Sequence, residues 1–389
     1  MKLNIVEVNN NSLENTFIDF QWKIYQNDPL WVPPLKLSVK DMLSKKHPFY
    51  KTAKIKMWLA YNSNSDDNSV VGRIAAITNQ SYNSFQNEQA GFVGFFESID
   101  NVDVALELFG VAENYLKLNG AKIIRGPMNP STNYECGILV EGENDPPQLM
   151  MTYNPPYYKK LFESVGYSKA MDLYAYKLPT DVIFSQRLER IVARATKSDQ
   201  IRCRNLSKKD WHNEITKILD IYNKSWEKNW GFVPYSEEEF RYIAKSLKSI
   251  CREDLTFMVE VNGDPAGVLV ALPDFNQVFK SVKNGKLFPF GLFKILLNEK
   301  NINRVRVPIM GVKSEYRKLG LAPMMYLELY RSFQRLGGKY KEVEMSWILE
   351  TNKDMNKAIH IMGAPTPYKT YRIYQKSLDQ TNLGQQNLQ

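Results

Sequence analysis

Residues 304–322 read RVRVPIMGVKSEYRKLGLA, and this segment predicts more about the architecture than any other part of the 389-residue chain. Its first residues are mostly apolar, which predicts a buried strand. A basic turn follows, in which Arg317, Gly320 and Ala322 form the pattern R-x-x-G-x-A and Lys318 adds charge. The two small residues allow a ligand to approach the backbone, and the N–H groups that begin the next helix favour an anion. We therefore interpret the turn as a phosphate-binding site between a strand and a helix.

The second half of the chain predicts alternating strands and helices around this turn. Segments with strand or helix periodicity are separated by turn residues such as Gly363. This order is typical of an α/β fold, a mixed sheet with helices on both faces. The predicted elements are strand Ile201–Leu206, helices Trp211–Asn229 and Glu237–Ile250, hairpin strands Thr256–Val261 and Ala266–Ala271, strand Arg304–Val312, helix Pro323–Leu336, strand Glu342–Leu349, helix Asn352–Met362 and strand Thr370–Gln375.

The first half of the chain repeats this order of elements. Val71–Ala76 resembles Ala266–Ala271, and Gly166 and Gly363 occupy matching positions after a short helix. A duplication followed by small insertions produces such a repeat. We therefore predict two tandem domains of the same fold, at residues 1–180 and 198–378, and a disordered tail at 379–389.

The first half lacks the phosphate-binding turn. The matching segment, Glu97–Asp103, contains no glycine and carries three carboxylates. These carboxylates would repel a pyrophosphate. We interpret the first half as a degenerate copy that supports the fold and does not bind the phosphorylated ligand.

In this order of elements, the turn resembles the Q/R-x-x-G-x-G/A loop of the GNAT acyltransferase superfamily. That loop binds the pyrophosphate of an acyl-coenzyme A. The resemblance implies two tandem GNAT-like acyl-CoA N-acyltransferase domains, with acyl-CoA as the donor substrate of the second. It also implies that a backbone N–H near Gly311 or Val312 polarises the thioester carbonyl. The implied binding set is Gly311, Val312, Lys313, Arg317, Lys318, Leu319, Gly320, Leu321, Ala322 and Asn352.

Five further segments narrow the resemblance to the bacterial ceramide synthase-like branch of tandem GNAT proteins. Together with the turn, they extend it over about residues 3–378. The branch implies transfer of a fatty acyl group from the coenzyme A thioester to the amine of a sphingoid long-chain base. The segments are GPMNPSTNYECGILVEG (126–142), YNPPYYKKLFESVGY (153–167), NWGFVP (229–234), KLFPFGLFK (286–294) and SWILETN (346–352).

Catalytic residues are expected where the second-half strands and last helix end. The family's usual acid is a tyrosine four residues before the glycine that ends the last helix, and Ile359 stands there in this chain. His360 is a weaker candidate, because adjacent helical residues point about 100° apart. Glu344 and Glu350 are the candidates for the base. The alternative is that these two glutamates are solvated surface carboxylates.

Two insertions bear on the acceptor. Residues 280–300 are apolar and carry several lysines, so they could contact an anionic membrane or line an acyl channel; core packing is the alternative. The loop 126–158 lies between Gly120 and Gly166, a longer interval than the matching one between Gly338 and Gly363. We expect this loop to cross toward the cleft of the second domain. The candidate substrate-binding residues are Trp230, Phe232, Tyr134, Glu135 and Trp347.

Composition limits the remaining classes of function. The net charge of +9 favours anionic partners without choosing among them. Three scattered cysteines and only three histidines argue against a metal site or a disulfide framework. No segment reads as a signal peptide or a membrane span, which predicts a cytoplasmic protein with at most peripheral membrane contact through 280–300.

Three other functions stay open on the sequence. They are N-acetylation of a small amine, FemABX-like aminoacyl transfer, and a non-enzymatic basic binding protein. The intact R-x-x-G-x-A turn argues against FemABX-like chemistry, because coenzyme A is then the natural donor. The sequence has no helix-turn-helix, zinc-finger or RNP-like motif, so we expect no nucleic-acid partner.

Overall fold

The computed structural model describes residues 1–63, 69–181, 189–190, 192–193 and 198–378, which form two compact units. Most of the linker between the predicted domains and the whole predicted tail at 379–389 lie outside these residues. No helix in the described ranges is long and apolar enough to cross a bilayer. Unit 1 contains Met1–Leu173, Lys283–Leu287 and the residues from Thr370 onward, and unit 2 contains Tyr174–Val282 and Phe288–Lys369.

Unit 1 is a sheet that carries helices. Its helices are α1 (Asn11–Ile24), α2 (Lys36–Leu43), α3 (Gln80–Gln86), α4 (Val102–Leu118) and α5 (Tyr158–Ser164). Its strands are β1 (Leu3–Glu7), β2 (Ala53–Asn62), β3 (Val70–Asn79), β4 (Ala90–Ser98), β5 (Ile123–Gly126), β6 (Met128–Asn129), β7 (Glu135–Cys136), β8 (Ile138–Glu141) and the first part of β9 (Ser168–Pro179). Strands β1 to β5 are neighbours in that order, and only β4 and β5 pair in parallel.

Unit 2 has the same plan. Its helices are α6 (Trp211–Trp226), α7 (Glu237–Leu247), α8 (Asn276–Phe279), α9 (Gly291–Asn298), α10 (Leu321–Arg335) and α11 (Lys353–Ile361). Its strands are β10 (Ile201–Asn205), β11 (Thr256–Val261), β12 (Asp264–Pro273), β13 (Arg304–Val312) and β14 (Glu342–Leu349). Strands β10 to β14 are neighbours in that order, and β13 and β14 form the parallel pair.

The strand that completes each unit differs from the one that the sequence repeat suggests. In unit 1, the last strand of the chain, β15 (Lys369–Ser377), pairs with β5 from Tyr374↔Gly126 to Ser377↔Ile123. In unit 2, the second part of β9, Tyr174–Pro179, lies beside β14. The predicted domains at 1–180 and 198–378 assign each of these strands to the other half. A strand pattern identifies a strand but not its partner, because pairing is a long-range property.

Helices cover both faces of the sheet in unit 2, as the sequence predicted. A Cβ added at Gly311 of β13 would lie 2.4 Å from the Trp226 ring, which places α6 on that face. Gly267 of β12 is the register partner of Val312, the residue after Gly311. A Cβ added at Gly267 would lie 3.3 Å from the Met325 side chain of α10. Because neighbouring residues of a strand point to opposite faces, α6 and α10 lie on opposite sides of the sheet. The predicted α/β class is confirmed.

Most of the second-half elements begin and end within a few residues of their predicted bounds. Strands β11, β13 and β14 match residue for residue. Helix α9 has no counterpart in the prediction, since Pro289 and Gly291 interrupt its sequence and read as turn signals. The short helices α2 and α3 were also missed.

Candidate active site

The parallel strands of unit 2 separate halfway along their length. Strands β13 and β14 pair from Arg304↔Glu342 to Val307↔Met345, and the described register contains no pair beyond that point. Strand β13 nevertheless continues to pair with β12 as far as Gly267↔Val312. The distal half of β13 therefore has a strand on one side only. This separation forms a gap, defined here as the space between residues 308–312 and 346–349.

The register shows which backbone groups of β13 face the gap. The N–H of Lys313 donates to the Ala266 carbonyl at 2.9 Å. In an antiparallel pair the hydrogen-bonding direction alternates from residue to residue. Gly311 therefore faces β12, whereas the N–H groups of Val312 and Met310 face the gap. Of the two predicted donors, Gly311 and Val312, the register favours Val312.

The turn that carries R-x-x-G-x-A ends at an uncapped helix. Residues Ser314–Leu319 form a short 3-10 helix, and Gly320 follows with φ 75°, in the left-handed region where glycine is favoured. Helix α10 starts at the next residue, and no side chain caps its N-terminus. Since the first N–H groups of any α-helix lack intrahelical acceptors, Leu321 and Ala322 present backbone donors to an anion.

The positive charges of the turn fall into two groups. Arg317, Lys318 and Leu319 are exposed, and Arg317 donates to the Ser225 carbonyl at 3.1 Å, which tethers its guanidinium near α6. Lys313 is buried, and its Nζ lies 2.6 Å from Asp220 Oδ2. Burial alone would raise the pKa of Asp220, but hydrogen bonds from Lys224 and Lys313 hold it below its usual range. Arg317 and Lys318 are the cations available to a ligand, and Lys313 organises the base of the turn.

Aromatic side chains pack beneath the distal part of β13. The rings of Tyr222 and Trp226 stack at 4.7 Å, and Phe232 lies 5.9 Å from Tyr222. Phe232 is buried and Trp230 half-buried. A side chain at Gly311 would overlap the Trp226 ring unless that ring moved aside. Of the predicted substrate-binding residues, Phe232 belongs to this aromatic wall.

Glu344 lies in a buried polar network at the start of the gap. Its carboxylate is fully buried and accepts hydrogen bonds from the hydroxyls of Ser346 and Tyr368. Arg306 Nε lies 3.7 Å from Glu344 Oε1 and donates to Ser346 Oγ at 2.8 Å. Arg306 is also the register partner of Glu344. Glu344 is therefore not a solvated surface carboxylate, and its two oxygens accept from Ser346 and Tyr368.

Tyr368 is the residue of this network that the sequence did not reveal. It is half-buried in the loop between α11 and β15, far along the chain from Glu344. The Nζ of Lys177 lies 4.4 Å from the centre of its ring. The segment Ala364–Thr370 carries no motif, so only the folded chain brings this phenol to the carboxylate.

Helix α11 carries the other predicted residues of this region. Asn352 caps the helix, since its Oδ1 accepts from the Met355 N–H at 3.2 Å. Ile359 is fully buried, whereas His360 is exposed with Nε2 3.4 Å from the Tyr176 hydroxyl. Tyr176 itself donates to Asn356 at 3.0 Å, and burial raises its pKa.

The remaining predicted site residues are spread over both units. Glu350 and Trp347 are half-buried at the end of β14. Tyr134 and Glu135 lie in unit 1, where the Tyr134 ring packs edge-on to His47 and Phe49 at 6.0 and 5.9 Å. Their roles, and the path of the loop 126–158 toward the cleft of the second domain, stay predictions. No group of three or more potential metal ligands occurs among the described residues.

The corresponding gap in unit 1 is filled by the chain itself. Strands β4 and β5 pair only from Ala90↔Ile123 to Phe92↔Arg125. Beyond them, the Phe95 N–H donates to Asn129 Oδ1 at 2.6 Å. A Cβ added at Gly94 would lie 1.7 Å from the carbonyl oxygen of Met128, so this backbone occupies the space.

Comparison with known proteins matches this geometry. No protein-family model matches the chain. The chain is 36% identical to protein YghO of Escherichia coli, over 95% of this chain and 94% of that protein. It is 34% identical to the bacterial ceramide synthase of Caulobacter vibrioides, over 97% and 98% of the two chains.

Solved structures agree on the fold. A tandem GNAT protein from the clavulanic acid biosynthesis pathway, solved without acetyl-CoA, superposes with a TM-score of 0.57 at 11% identity, over 98% of this chain and 100% of that one. A GCN5-related glucosamine N-acetyltransferase region of a fungal β-N-acetylglucosaminidase gives 0.57 at 12% identity, over 96% and 38% of the chains. The resemblance inferred from the turn is confirmed: the chain has the tandem GNAT fold, and it is an N-acyltransferase of the family that contains bacterial ceramide synthase.

Proposed function

We propose that this enzyme transfers a long-chain acyl group from an acyl-coenzyme A thioester to the primary amine of a sphingoid long-chain base. The observation that carries the proposal is the uncapped N-terminus of α10, which follows Gly320 beside the gap between β13 and β14. The likeness to a bacterial ceramide synthase over nearly the whole chain supports the choice of acceptor.

The donor would bind along the turn and into the gap. Its pyrophosphate would accept hydrogen bonds from the N–H groups of Leu321 and Ala322, with Arg317 and Lys318 neutralising its charge. The acyl-bearing arm would extend between the distal halves of β13 and β14. The thioester carbonyl would then accept a hydrogen bond from the Val312 N–H, a donor held rigidly by the ladder between β12 and β13.

The chemistry requires two proton transfers. The neutral amine attacks the thioester carbon, an N–C bond forms, the C–S bond breaks, and the coenzyme A thiolate leaves. The nitrogen must lose a proton, and the thiolate takes one up. We assign the first transfer to the Tyr368–Glu344 pair: the phenol takes the proton of the nitrogen as it passes its own to the carboxylate. Arg306 and Ser346 hold that carboxylate in place.

The other predicted catalysts are less well placed on this geometry. His360 is exposed on α11 and hydrogen-bonded to Tyr176 rather than to a residue of β14. Ile359, at the family's usual acid position, has no proton to give. We therefore propose that the thiolate is protonated by the same Tyr368–Glu344 pair after it has accepted the proton of the amine.

Release of free thiol tests the proposal directly. Palmitoyl-coenzyme A is incubated with the enzyme and, in turn, a sphingoid base, amino acids and polyamines. We expect thiol release, with the matching amide detected by mass spectrometry, for the sphingoid base alone. Activity confined to acetyl-coenzyme A and small amines would overturn the lipid acceptor, and absence of coenzyme A binding in calorimetry would overturn the donor.

Two variants with a matched control test the proton relay. Glu344→Gln and Tyr368→Phe should each lower kcat by about 100-fold, since general-base catalysis contributes ~100- to 10,000-fold, and leave the KM for the acyl-CoA within about threefold. Glu342→Gln changes the carboxylate two residues earlier on β14, which pairs with Arg304 at 2.8 Å and lies 4.0 Å from the Nζ of Lys177. It should leave kcat unchanged. Equal losses in all three variants would indicate damage to the strand rather than to a relay.

A further inference from the structure

Helix α9 and the residues just before it expose a large apolar surface. Phe288, Phe290 and Phe293 are 66%, 72% and 65% exposed, and Leu296 and Leu297 are 60% and 70% exposed. Since one aromatic side chain offers ~150–250 Å², the three phenylalanines alone present roughly 300–500 Å² of apolar surface. Patches of that size on a folded protein mark interaction sites.

The exposed side chains form one face rather than a scatter. Phe290, Phe293 and Leu297 follow helical spacing of three and four residues, with Leu296 next to them. On the opposite side of the helix, Gly291 and Ile295 are buried. Helix α9 therefore packs on unit 2 through one side and turns a phenylalanine- and leucine-rich side to solvent. We call Phe288, Phe290, Phe293, Leu296 and Leu297 the apolar face.

The charge along residues 280–300 is predominantly positive, and Glu299 is the one carboxylate of this segment. Residues 280–298 contain no aspartate or glutamate. The lysines at 280, 283, 286, 294 and 300 are all exposed. The Nζ of Lys294 lies 3.4 Å from the Ser281 carbonyl, so this ammonium stays near the chain that leads into the helix. This excess of exposed ammonium groups is complementary to a surface of anionic headgroups.

We propose that the apolar face docks on an anionic lipid bilayer, with the phenylalanines and leucines at the headgroup–acyl boundary and the flanking lysines on the headgroups. This proposal rests on the proposed function. A sphingoid base resides in a membrane, so docking brings the enzyme to its acceptor. Aromatic and aliphatic side chains with lysines at the rim are the composition of interfacial helices.

Flotation of the full-length protein with vesicles tests the proposal. One set of vesicles is pure phosphatidylcholine, and the other contains about a third phosphatidylglycerol. We expect binding to the anionic vesicles at least tenfold tighter than to the neutral ones, and weakened by salt, because each lysine near an anionic surface contributes roughly fivefold. Equal binding to both, or to neither, overturns the proposal.

Three variants separate the two parts of the surface. Phe290→Ser with Phe293→Ser and Leu297→Ser should lower binding to anionic vesicles at least tenfold. Lys280→Gln with Lys294→Gln should remove most of the preference for anionic lipid and leave weak binding. The control is Leu106→Ser with Leu118→Ser, which removes two apolar side chains of α4 that are 49% and 78% exposed. The control should bind like the wild type, and a loss there equal to that of the triple variant overturns the assignment to α9.

Coenzyme A binding without vesicles distinguishes this proposal from the proposed function. The triple variant should keep wild-type affinity for coenzyme A in calorimetry and wild-type turnover on a detergent-dispersed sphingoid base. Its activity should fall only when the base is embedded in vesicles.

If the wild type transfers acyl groups but does not float with any vesicle, docking fails and the proposed function stands. If it floats but binds no coenzyme A, the proposed function fails instead. A dimer that the triple variant abolishes, together with no vesicle binding, assigns the face to a second copy and overturns docking.

Discussion

Units 1 and 2 have the same order of strands and helices, but their equivalent backbone N–H groups have different hydrogen-bond acceptors. Ser98 and Val312 hold the same register position, opposite Gly72 and Gly267. In unit 1 the Ser98 N–H donates to the Tyr158 hydroxyl at 2.9 Å. In unit 2 the Val312 N–H faces the gap. The first unit meets its hydrogen-bonding needs from its own side chains, whereas the second leaves a donor for a ligand.

The helix that follows the parallel strand shows the same contrast. In unit 1, α4 is capped by Asn101, whose side chain accepts from the Val104 N–H at 3.2 Å, and Asp103 lies in its first turn. In unit 2, α10 follows Gly320 and no side chain caps it. The degenerate copy thus differs by more than a missing motif. The Asn101 side chain and the Tyr158 hydroxyl accept from backbone N–H groups whose unit 2 counterparts would be left for an anion and a thioester carbonyl.

The strongest test of this contrast compares one glycine from each gap. Gly94→Ala should destabilise the protein by about 3 kcal/mol or more, because the new methyl would lie 1.7 Å from a backbone carbonyl that cannot move aside. Gly311→Ala should destabilise it by about 1–2 kcal/mol, because the atom in its way belongs to the Trp226 side chain, which can rotate. Chemical denaturation measures both. Equal losses would contradict a unit 1 gap filled by backbone.

Gly320→Glu addresses the open helix terminus. The substitution adds a carboxylate where a pyrophosphate would bind and strains a residue at φ 75°. We expect coenzyme A affinity in calorimetry to fall at least 100-fold. The matched change in unit 1, Asp103→Ala, should leave affinity within about twofold. A comparable loss in the Asp103 variant would place the binding site in the wrong unit.

The elements that build this site could be predicted from local patterns in the sequence. Strand β13, Gly320 and helix α10 are contiguous in sequence, so apolar alternation, a turn glycine and helical periodicity predict them together. The same holds for the missing turn at Glu97–Asp103. These features depend on neighbours within a few residues, which a single sequence contains.

Long-range partners could not be predicted in this way. Nothing near Tyr368 indicates that it donates to Glu344, and nothing in β15 indicates that it pairs with β5. The solvated-carboxylate alternative for Glu344 fails for the same reason, since burial depends on Arg306 and Tyr368 arriving from other elements. The run from 280 to 300 showed apolar content but not that it lies exposed on α9.

Removing the cap of α4 should have a smaller effect. Asn101→Ala removes the hydrogen bond to the Val104 N–H and should destabilise the protein by ~1 kcal/mol, the usual value for a lost N-cap. Thermal denaturation should show a fall of a few degrees, with coenzyme A affinity unchanged. A loss of coenzyme A affinity with the same fall in Tm would mean that the capped terminus of unit 1 contributes to donor binding, and would contradict its assignment as degenerate.

The smallest expected effect is a pH dependence at one position of unit 2 whose equivalent in unit 1 carries no charge. Lys313 and Ile99 hold equivalent positions, since the N–H of each donates to the neighbouring strand, to Ala266 at 2.9 Å and to Val71 at 3.0 Å. Only Lys313 has an acidic partner, Asp220 at 2.6 Å.

The pKa of Asp220 is lowered on folding, so the stabilisation by its charge is present above the unfolded pKa and lost as pH falls through the folded value. Because the Asp220 side chain is 42% exposed, solvent screening limits this to a few tenths of a kcal/mol. Asp220→Asn should lower Tm slightly at pH 6, and the difference from the wild type should vanish once the pH lies below the folded pKa of Asp220. A difference that persists at acid pH would show that the side-chain amide disturbs packing, and that the charge of the pair contributes nothing.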